Sequence, residues 1–240
     1  HKAIRRQRQM CIRDSQGTVS GTTFINGNDQ KDVLPLGYFL RKDNTANPST
    51  SNVGNISASA NSWWRHHTAV FDSGSKDTGN DFALNVSTWK GINVGLKRLY
   101  NFCSRGSGGS PNLAVMDQTT FETYESALDD KTRDTDTKMA DMGFDTIKLR
   151  GATCIWDELV PSIDTGDVVG GATYTGTAFL LNTKFYRLII DSETDIVTTP
   201  FVTPENQTAK TAKILFMGNA AVSNLRKHGV AYAISQSITS

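Results

Sequence analysis

The chain has 240 residues, of which 38% are hydrophobic and 20% are charged, and its formal net charge is +1. No apolar run approaches the roughly 18 residues that a membrane-spanning helix needs, and the polar residues 5–15 leave no signal-peptide core. We therefore expect a globular protein with one large or two interleaved domains and no membrane partner.

The net charge conceals an asymmetry between the first 15 residues and the rest. Residues 1–15 carry five basic side chains and one acidic, a charge of +4, whereas the remaining 225 residues carry 20 basic and 23 acidic, a charge of −3. The stretch RRQRQMCIRDS at residues 5–15 resembles translated sequencing-adapter read-through. We therefore expect residues 1–15 not to be native. The alternative is a basic arm that contacts nucleic acid.

The first predicted elements lie in a polar region. Residues 16–60 are rich in Gly, Asn, Ser, Thr and Asp around one apolar island at residues 33–40, so we expect this region to pack against something else, which in an assembly would be a neighbouring subunit. Residues 63–71 are predicted as a strand or its entry. Because side chains alternate along a strand, Trp63 and Trp64 are predicted to separate, one into the core and one over an interface or a loop.

Residues 87–105 are predicted to form an amphipathic helix. Its apolar residues recur at spacings of three and four and share one face: Trp89, Ile92, Leu96, Leu99 and Cys103. Ser87 or Thr88 is the predicted N-cap. Gly91 and Gly95 weaken the helix, and their spacing indicates close packing against another backbone.

The central region alternates short strands and one further helix. Residues 112–116 are predicted as a buried strand, and Thr119 with Glu122 forms a capping-box pattern that starts a helix. Residues 146–149 and 152–156 are predicted as an antiparallel pair joined by a tight turn.

Strands dominate the last third of the chain. Residues 178–182 and 185–190 are predicted as strands around a turn, and residues 196–206 as extended. Residues 211–222 and 229–234 are predicted as the closing strands. Strands and helices mix without a regular βαβ rhythm, which predicts the α+β class.

Two polar groups resemble ligand sites, and a structural role is favoured for each. His66 and His67 are candidate metal ligands, but adjacent strand positions point to opposite faces and no third ligand follows at useful spacing. The loop at residues 104–110 (SRGSGGS) resembles a phosphate-cradling loop, but it lacks the lysine and precedes a strand. For the two histidines we favour a packing role, and for the loop a flexible turn between a helix and a strand.

The remaining candidates are acids, thiols and bases. Paired carboxylates at residues 129–130 and 157–158 are typical of solvated turns unless a partner shifts a pKa. Cys103 is a poor nucleophile on an apolar helix face, and the odd set of widely spaced cysteines predicts reduced thiols in a cytosolic setting. One helix side carries bases that can touch DNA, with a solvated face favoured: Lys90, Lys97 and Arg98. No catalytic, metal-binding or cofactor-binding residue is predicted, nor any enzymatic activity.

Six stretches in chain order carry a family resemblance. They are VGNISASANSWWRHH (53–67), LKRLYNFC (96–103), SPNLAVMDQTTFETYESAL (110–128), ADMGFDTIKLRGATCIWDELVP (140–161), TAFLLNTKFYRLII (177–190) and ILFMGNAAVSNLRKHGVAYAI (214–234). Together they resemble the major capsid proteins of tailed bacteriophages, whose fold is shared with encapsulin compartments.

The resemblance implies a division of the chain into four parts. Residues 87–190 correspond to the axial domain, and residues 191–240 return to the peripheral domain with its terminal strands. Residues 16–86 correspond to an extended loop and a peripheral-domain remnant, and residues 1–15 to the non-native segment. The N-terminal arm and spine helix of the family are expected to be missing. We expect the partial peripheral domain to expose apolar strand edges.

The resemblance also implies a function without chemistry. The chain would be a structural subunit that self-assembles into pentamers and hexamers of an icosahedral capsid around genomic DNA, with non-specific DNA contact. Scaffold and portal proteins would be its further partners. It would be assembled in the bacterial host cytoplasm and located in the virion capsid. The alternatives are an encapsulin-like shell, or a carbohydrate- or nucleic-acid-binding module that uses Trp63 and Trp64.

Overall fold

The architecture is a mixed seven-stranded sheet with two helices of more than two turns, which places the chain in the α+β class. The computed structural model describes residues 18–20, 23–25, 36–41, 44, 53–71, 79, 81–84, 89–128, 147–158, 160, 176–202, 210 and 212–234. Residues 1–15, the paired carboxylates at 129–130 and the predicted helix N-cap at 87–88 lie outside these residues.

The elements are numbered in chain order. The strands are β1 (Thr18–Ser20), β2 (Thr23–Ile25), β3 (His67–Val70), β4 (Phe82–Ala83), β5 (Leu113–Met116), β6 (Ile147–Leu149), β7 (Ala152–Trp156), β8 (Thr177–Leu181), β9 (Tyr186–Ile190), β10 (Val197–Thr198), β11 (Ile214–Leu215), β12 (Gly218–Val222) and β13 (Gly229–Tyr232). The α-helices are α1 (Leu36–Phe39), α2 (Trp89–Ser104) and α3 (Gln118–Ser126), and 3-10 turns occupy Val53–Asn55, Ser62–Trp64 and Leu225–Lys227.

The large sheet has the strand order β4-β3-β13-β8-β5-β7-β6. Strands β4, β3 and β13 run parallel to one another, β8 is antiparallel to both β13 and β5, and β7 is parallel to β5. Strand β3 comes from the predicted segment 16–86 and β13 from 191–240, and both share this sheet with strands of residues 87–190. The sheet therefore crosses the predicted segment boundaries.

One face of the sheet is covered by α2 and α3. The predicted apolar stripe of α2 is confirmed at four positions that are fully buried: Ile92, Leu96, Leu99 and Cys103. The predicted close packing at Gly95 is found, but the neighbour is a side chain and not a backbone. A Cβ at Gly95 would lie 2.6 Å from the ring of Phe71, so only glycine fits without a shift.

The predicted N-cap of the second helix is wrong. Asp117 caps α3, because its Oδ1 accepts a hydrogen bond from the Thr120 backbone N–H at 3.1 Å. The same oxygen accepts the Thr177 N–H at 3.2 Å, which ties the helix start to β8. Thr119 therefore lies inside the first turn. The helix buries one face, since Phe121 and Tyr124 are both buried.

The opposite face of the sheet carries a second core. Alternate residues of the central strands, including Val115, Phe179 and Val230, pack there against α1 and Trp64. The predicted antiparallel pair is also confirmed, with Ile147 opposite Cys154 in the β6–β7 ladder. Strands β8 and β9 flank the predicted turn but join different sheets: β8 lies in the large sheet and β9 pairs with β12.

Candidate interaction surface

A two-stranded ribbon extends from the second core. Strand β9 pairs with β12 from Tyr186↔Val222 to Ile190↔Gly218, and β10 pairs with β11 further along. Backbone hydrogen bonds join the two ladders, because the Asp191 N–H donates to the Met217 carbonyl at 2.9 Å. We refer to residues 186–202 and 212–222 as the ribbon.

The base of the ribbon is anchored to the protein's own core. Tyr186 and Leu188 on β9, with Ala220 and Val222 on β12, pack against the second core. These residues occupy alternate positions, as the two-residue period of a strand requires. The ring of Phe39 meets that of Tyr186 edge-on with 6.0 Å between centroids. One face of the base is therefore fixed, and its other face is left to solvent.

Outside its contacts with the second core, the ribbon exposes apolar side chains. The described residues include twelve exposed large hydrophobic side chains, and nine belong to the ribbon. They are Ile189, Ile190, Ile196, Val197, Phe201, Val202, Ile214, Leu215 and Met217. Phe201 and Ile214 are each 70% exposed. Such a concentration of exposed apolar surface is typical of protein–protein contact sites, and a two-stranded ribbon is only marginally stable by itself.

The two adjacent tryptophans separate as predicted. Trp64 is 9% exposed, and its Nε1–H donates to the Val53 carbonyl at 3.0 Å. Trp63 is 55% exposed, and the two rings meet edge-on at 5.9 Å. Trp63 alone is therefore available as an aromatic platform, and the two-tryptophan platform of the binding-module hypothesis is not formed.

The two adjacent histidines are buried structural groups. Nε2 of His66 lies 2.7 Å from the carbonyl oxygen of Arg41, and burial lowers the pKa of His66 to about 4. Nδ1 of His67 lies 3.1 Å from Oδ2 of Asp81. Burial raises the pKa of Asp81, but hydrogen bonds from His67 and the Thr68 N–H outweigh it and hold the pKa below its ordinary value. Over the described part of the chain, no three His, Cys, Asp or Glu side chains gather in a metal-binding arrangement.

The loop at residues 104–110 presents carbonyl oxygens to a cation. Nζ of the buried Lys227 donates to the carbonyls of Arg105 at 2.9 Å and Gly106 at 3.3 Å. Two of the three Nζ–H donors of Lys227 are therefore directed at the loop's own carbonyl oxygens. The sequence carried no signal for this contact, because Lys227 is distant along the chain and reads as a solvated base.

His228, which follows Lys227, is a second buried group that the sequence alone did not predict. Nδ1 of His228 accepts the backbone N–H of Asn182 at 3.2 Å. Burial lowers the pKa of His228 to about 3, and the nearby His66 acts in the same direction. His228 is therefore a neutral core group that links the turn after β8 to the start of β13.

The remaining candidates are dispersed. Cys103 is fully buried, and burial raises the pKa of its thiol, which makes it a poor nucleophile. The guanidinium of Arg98 lies over the Phe82 ring at 4.6 Å, so the polar side of α2 is partly engaged in cation–π contact. Asp157 and Glu158 follow β7 at its end, away from the histidines in sequence and sheet position.

Comparison with known proteins adds no assignment to this geometry. No protein-family model matches the sequence, and no match is found among the curated proteins. Within the residues that the structure describes, every helix is too short or too polar to span a bilayer. The exposed apolar side chains of the ribbon are therefore the feature of the described chain that best indicates a function.

Proposed function

We propose that the chain is the subunit of an icosahedral capsid of a tailed bacteriophage, and that copies of it form pentamers and hexamers around genomic DNA. The observation that carries this proposal is the exposed apolar surface of the ribbon. A monomer gains nothing from holding side chains such as Phe201 and Ile214 in water. Contact with further copies would remove them from water.

The ordered resemblance over residues 53–235 supplies the identity of the assembly. Many weak contacts that act together suffice to close a shell, so no single contact of high affinity is required. Head-to-tail contacts close into rings when the rotation between copies permits. In this account the protein is not an enzyme. It is made in the host cytoplasm, resides in the virion and meets scaffold and portal proteins there.

A variant of the ribbon tests this proposal. We expect Phe201→Asp combined with Ile214→Asp to abolish particles and rings of the full chain in sedimentation velocity, because the charges would have to be buried in the contact. Val94→Asp is the matched control, since Val94 is 60% exposed but lies on α2, outside the ribbon. Equal loss of assembly in both variants would contradict a role specific to the ribbon.

The exposed ring of Trp63 supports a second candidate, a carbohydrate- or nucleic-acid-binding module. This function predicts saturable binding of an oligosaccharide or single-stranded DNA that Trp63→Ala removes, with the protein remaining monomeric. An encapsulin-like shell is closer to the main proposal.

A further inference from the structure

The outer edge of β9 has unused backbone hydrogen-bonding groups. The Asp191 N–H bonds to the Met217 carbonyl, and the Ser223 N–H bonds to the Phe185 carbonyl at 3.0 Å. Backbone groups alternate in direction along an antiparallel strand, so those of Arg187, Ile189 and Asp191 point toward β12. Those of Leu188 and Ile190 point away, where no residue of the described chain pairs with them.

Three exposed side chains at the end of β9 and just beyond it form a charge pattern centred on Ile189. Arg187, Ile189 and Asp191 occupy alternate positions on the solvent face, and Ile189 is 62% exposed. The order is basic, apolar, acidic. When two copies of this strand run antiparallel, each basic residue therefore faces an acidic residue of the other copy, and the apolar residues face each other. Local hydrogen bonds hold both charges near this face: Arg187 Nε donates to the Lys184 carbonyl, and Asp191 accepts from the Thr194 hydroxyl.

We propose that two copies of this chain join edge to edge through β9, antiparallel, about a two-fold axis at Ile189. The four strands then follow the order β12, β9, partner β9, partner β12. Leu188 of each copy exchanges backbone hydrogen bonds with Ile190 of the other, in the manner of strand addition. Ile189 packs on its own symmetry mate, and each Arg187 faces an Asp191.

This register is the one that the side chains favour. Moving the axis to residue 188 sets Arg187 against Ile189, and moving it to residue 190 sets Asp191 against Ile189. Either shift places a charge on an apolar side chain and breaks the pairing of opposite charges. The contact rests on the proposed self-assembly. It names one two-fold interface, which an icosahedral shell requires in addition to its rings.

Cross-linking tests the register directly. In the full chain with Cys11→Ser, we expect Ile189→Cys to give a covalent dimer on mild oxidation, because directly opposed residues bring their Cβ atoms within disulfide reach. Ile196→Cys is the control. Ile196 is 66% exposed on the same ribbon but lies beyond β9, so this variant should stay monomeric on a denaturing gel. Absence of a dimer at Ile189→Cys, or equal yields at both positions, would overturn the contact.

A charge exchange provides an independent test. Arg187→Asp and Asp191→Arg each set like charges in opposition twice in the symmetric pair, and we expect each to weaken dimerisation about tenfold. The double variant restores opposite charges and should recover most of the affinity in sedimentation equilibrium. Each substitution also removes a local hydrogen bond, so recovery in the double variant is the discriminating result. A double variant as weak as the single variants would overturn the pairing.

The cross-linking and assembly experiments together can refute the β9 contact and the capsid proposal independently of each other. Rings or shells that form without a cross-link at residue 189 would refute the β9 contact and leave the capsid proposal standing. A cross-linked dimer that never forms larger particles would support the contact and contradict the capsid proposal.

Discussion

The ammonium group of Lys227 lies 2.9 Å from the carbonyl oxygen of Arg105, just beyond the C-terminal end of α2. Lys227 is only 2% exposed, and its charge is compensated by two carbonyl oxygens at the negative end of the helix. Burial lowers the pKa of this lysine, so these hydrogen bonds work against a desolvation cost. The contact joins α2 to the 3-10 turn before β13.

We expect Lys227→Met to lower the free energy of unfolding by roughly 1–3 kcal/mol, because two partly buried hydrogen bonds from a charged donor to backbone carbonyls are lost. Urea denaturation followed by circular dichroism measures the change. Lys213→Met is the control, since Lys213 is exposed on the ribbon and its loss should stay within about 0.5 kcal/mol. A loss of the same size in both variants would show that the Lys227 contact adds no more to the free energy of unfolding than an exposed lysine does.

Stability should fall in mild acid because two histidines are buried in the neutral form. The pKa values of His66 and His228 are about 4 and about 3 in the folded protein, against an ordinary value of 6.5. The unfolded chain therefore binds more protons between these values. The stabilisation is complete above pH 6.5 and declines as the pH falls toward the folded pKa values, by roughly 3 kcal/mol or more for each group.

The pH dependence of the unfolding free energy tests this statement. We expect His228→Gln to flatten the slope between pH 6.5 and 4, whatever its effect on stability at neutral pH. His66→Gln is the second variant in case the first does not fold. Asp81, whose pKa is also lowered, contributes only at more acidic pH, near and below its ordinary value of 3.8. An unchanged slope in a folded variant would refute the assignment.

Gly229 allows α2 to approach β13 closely. A Cβ at this position would lie 2.7 Å from Sγ of Cys103 and 3.2 Å from the side chain of Leu99. We expect Gly229→Ala to cost about 1–3 kcal/mol through overpacking. Adding Cys103→Ala should recover part of this loss, because the sulfur is the nearest obstacle. A thermal-denaturation double-mutant cycle with no coupling would contradict this packing.

The two tryptophans should differ strongly when truncated. Trp64→Ala removes a buried ring and its hydrogen bond to Val53, and we expect a loss of about 3–5 kcal/mol. Trp63→Ala removes an exposed ring and should change stability by about 0.5 kcal/mol or less. Comparable losses in the two chemical-denaturation curves would mean that Trp63 also supports the fold.

Local patterns in the sequence were sufficient for elements whose environment is local. The apolar spacing of α2 and the tight turn between β6 and β7 both have short-range causes, and both predictions are confirmed. The cap of α3 was mistaken because Asp117 gains a second partner, Thr177, from a distant strand. The choice between Asp117 and Thr119 therefore depends on tertiary structure.

The exposure of the ribbon could not be predicted from the local sequence. Strands β8 (TAFLL) and β9 (YRLII) have similar apolar content, yet every residue of β8 is buried while β9 is largely exposed. The difference arises from their partners, since β8 lies between β13 and β5, whereas β9 pairs with β12 alone among the described strands. The parallel pairing of β3 with β13 likewise joins residues far apart in the chain. Neither arrangement has a local signature.

Electron microscopy of the full chain over a range of protein concentrations tests the capsid proposal most directly. The proposal predicts rings at intermediate concentration and closed particles with icosahedral symmetry at high concentration, with the ribbons lying between subunits. A population that remains monomeric or dimeric at every concentration, with the ribbon still exposed to proteolysis, would contradict it.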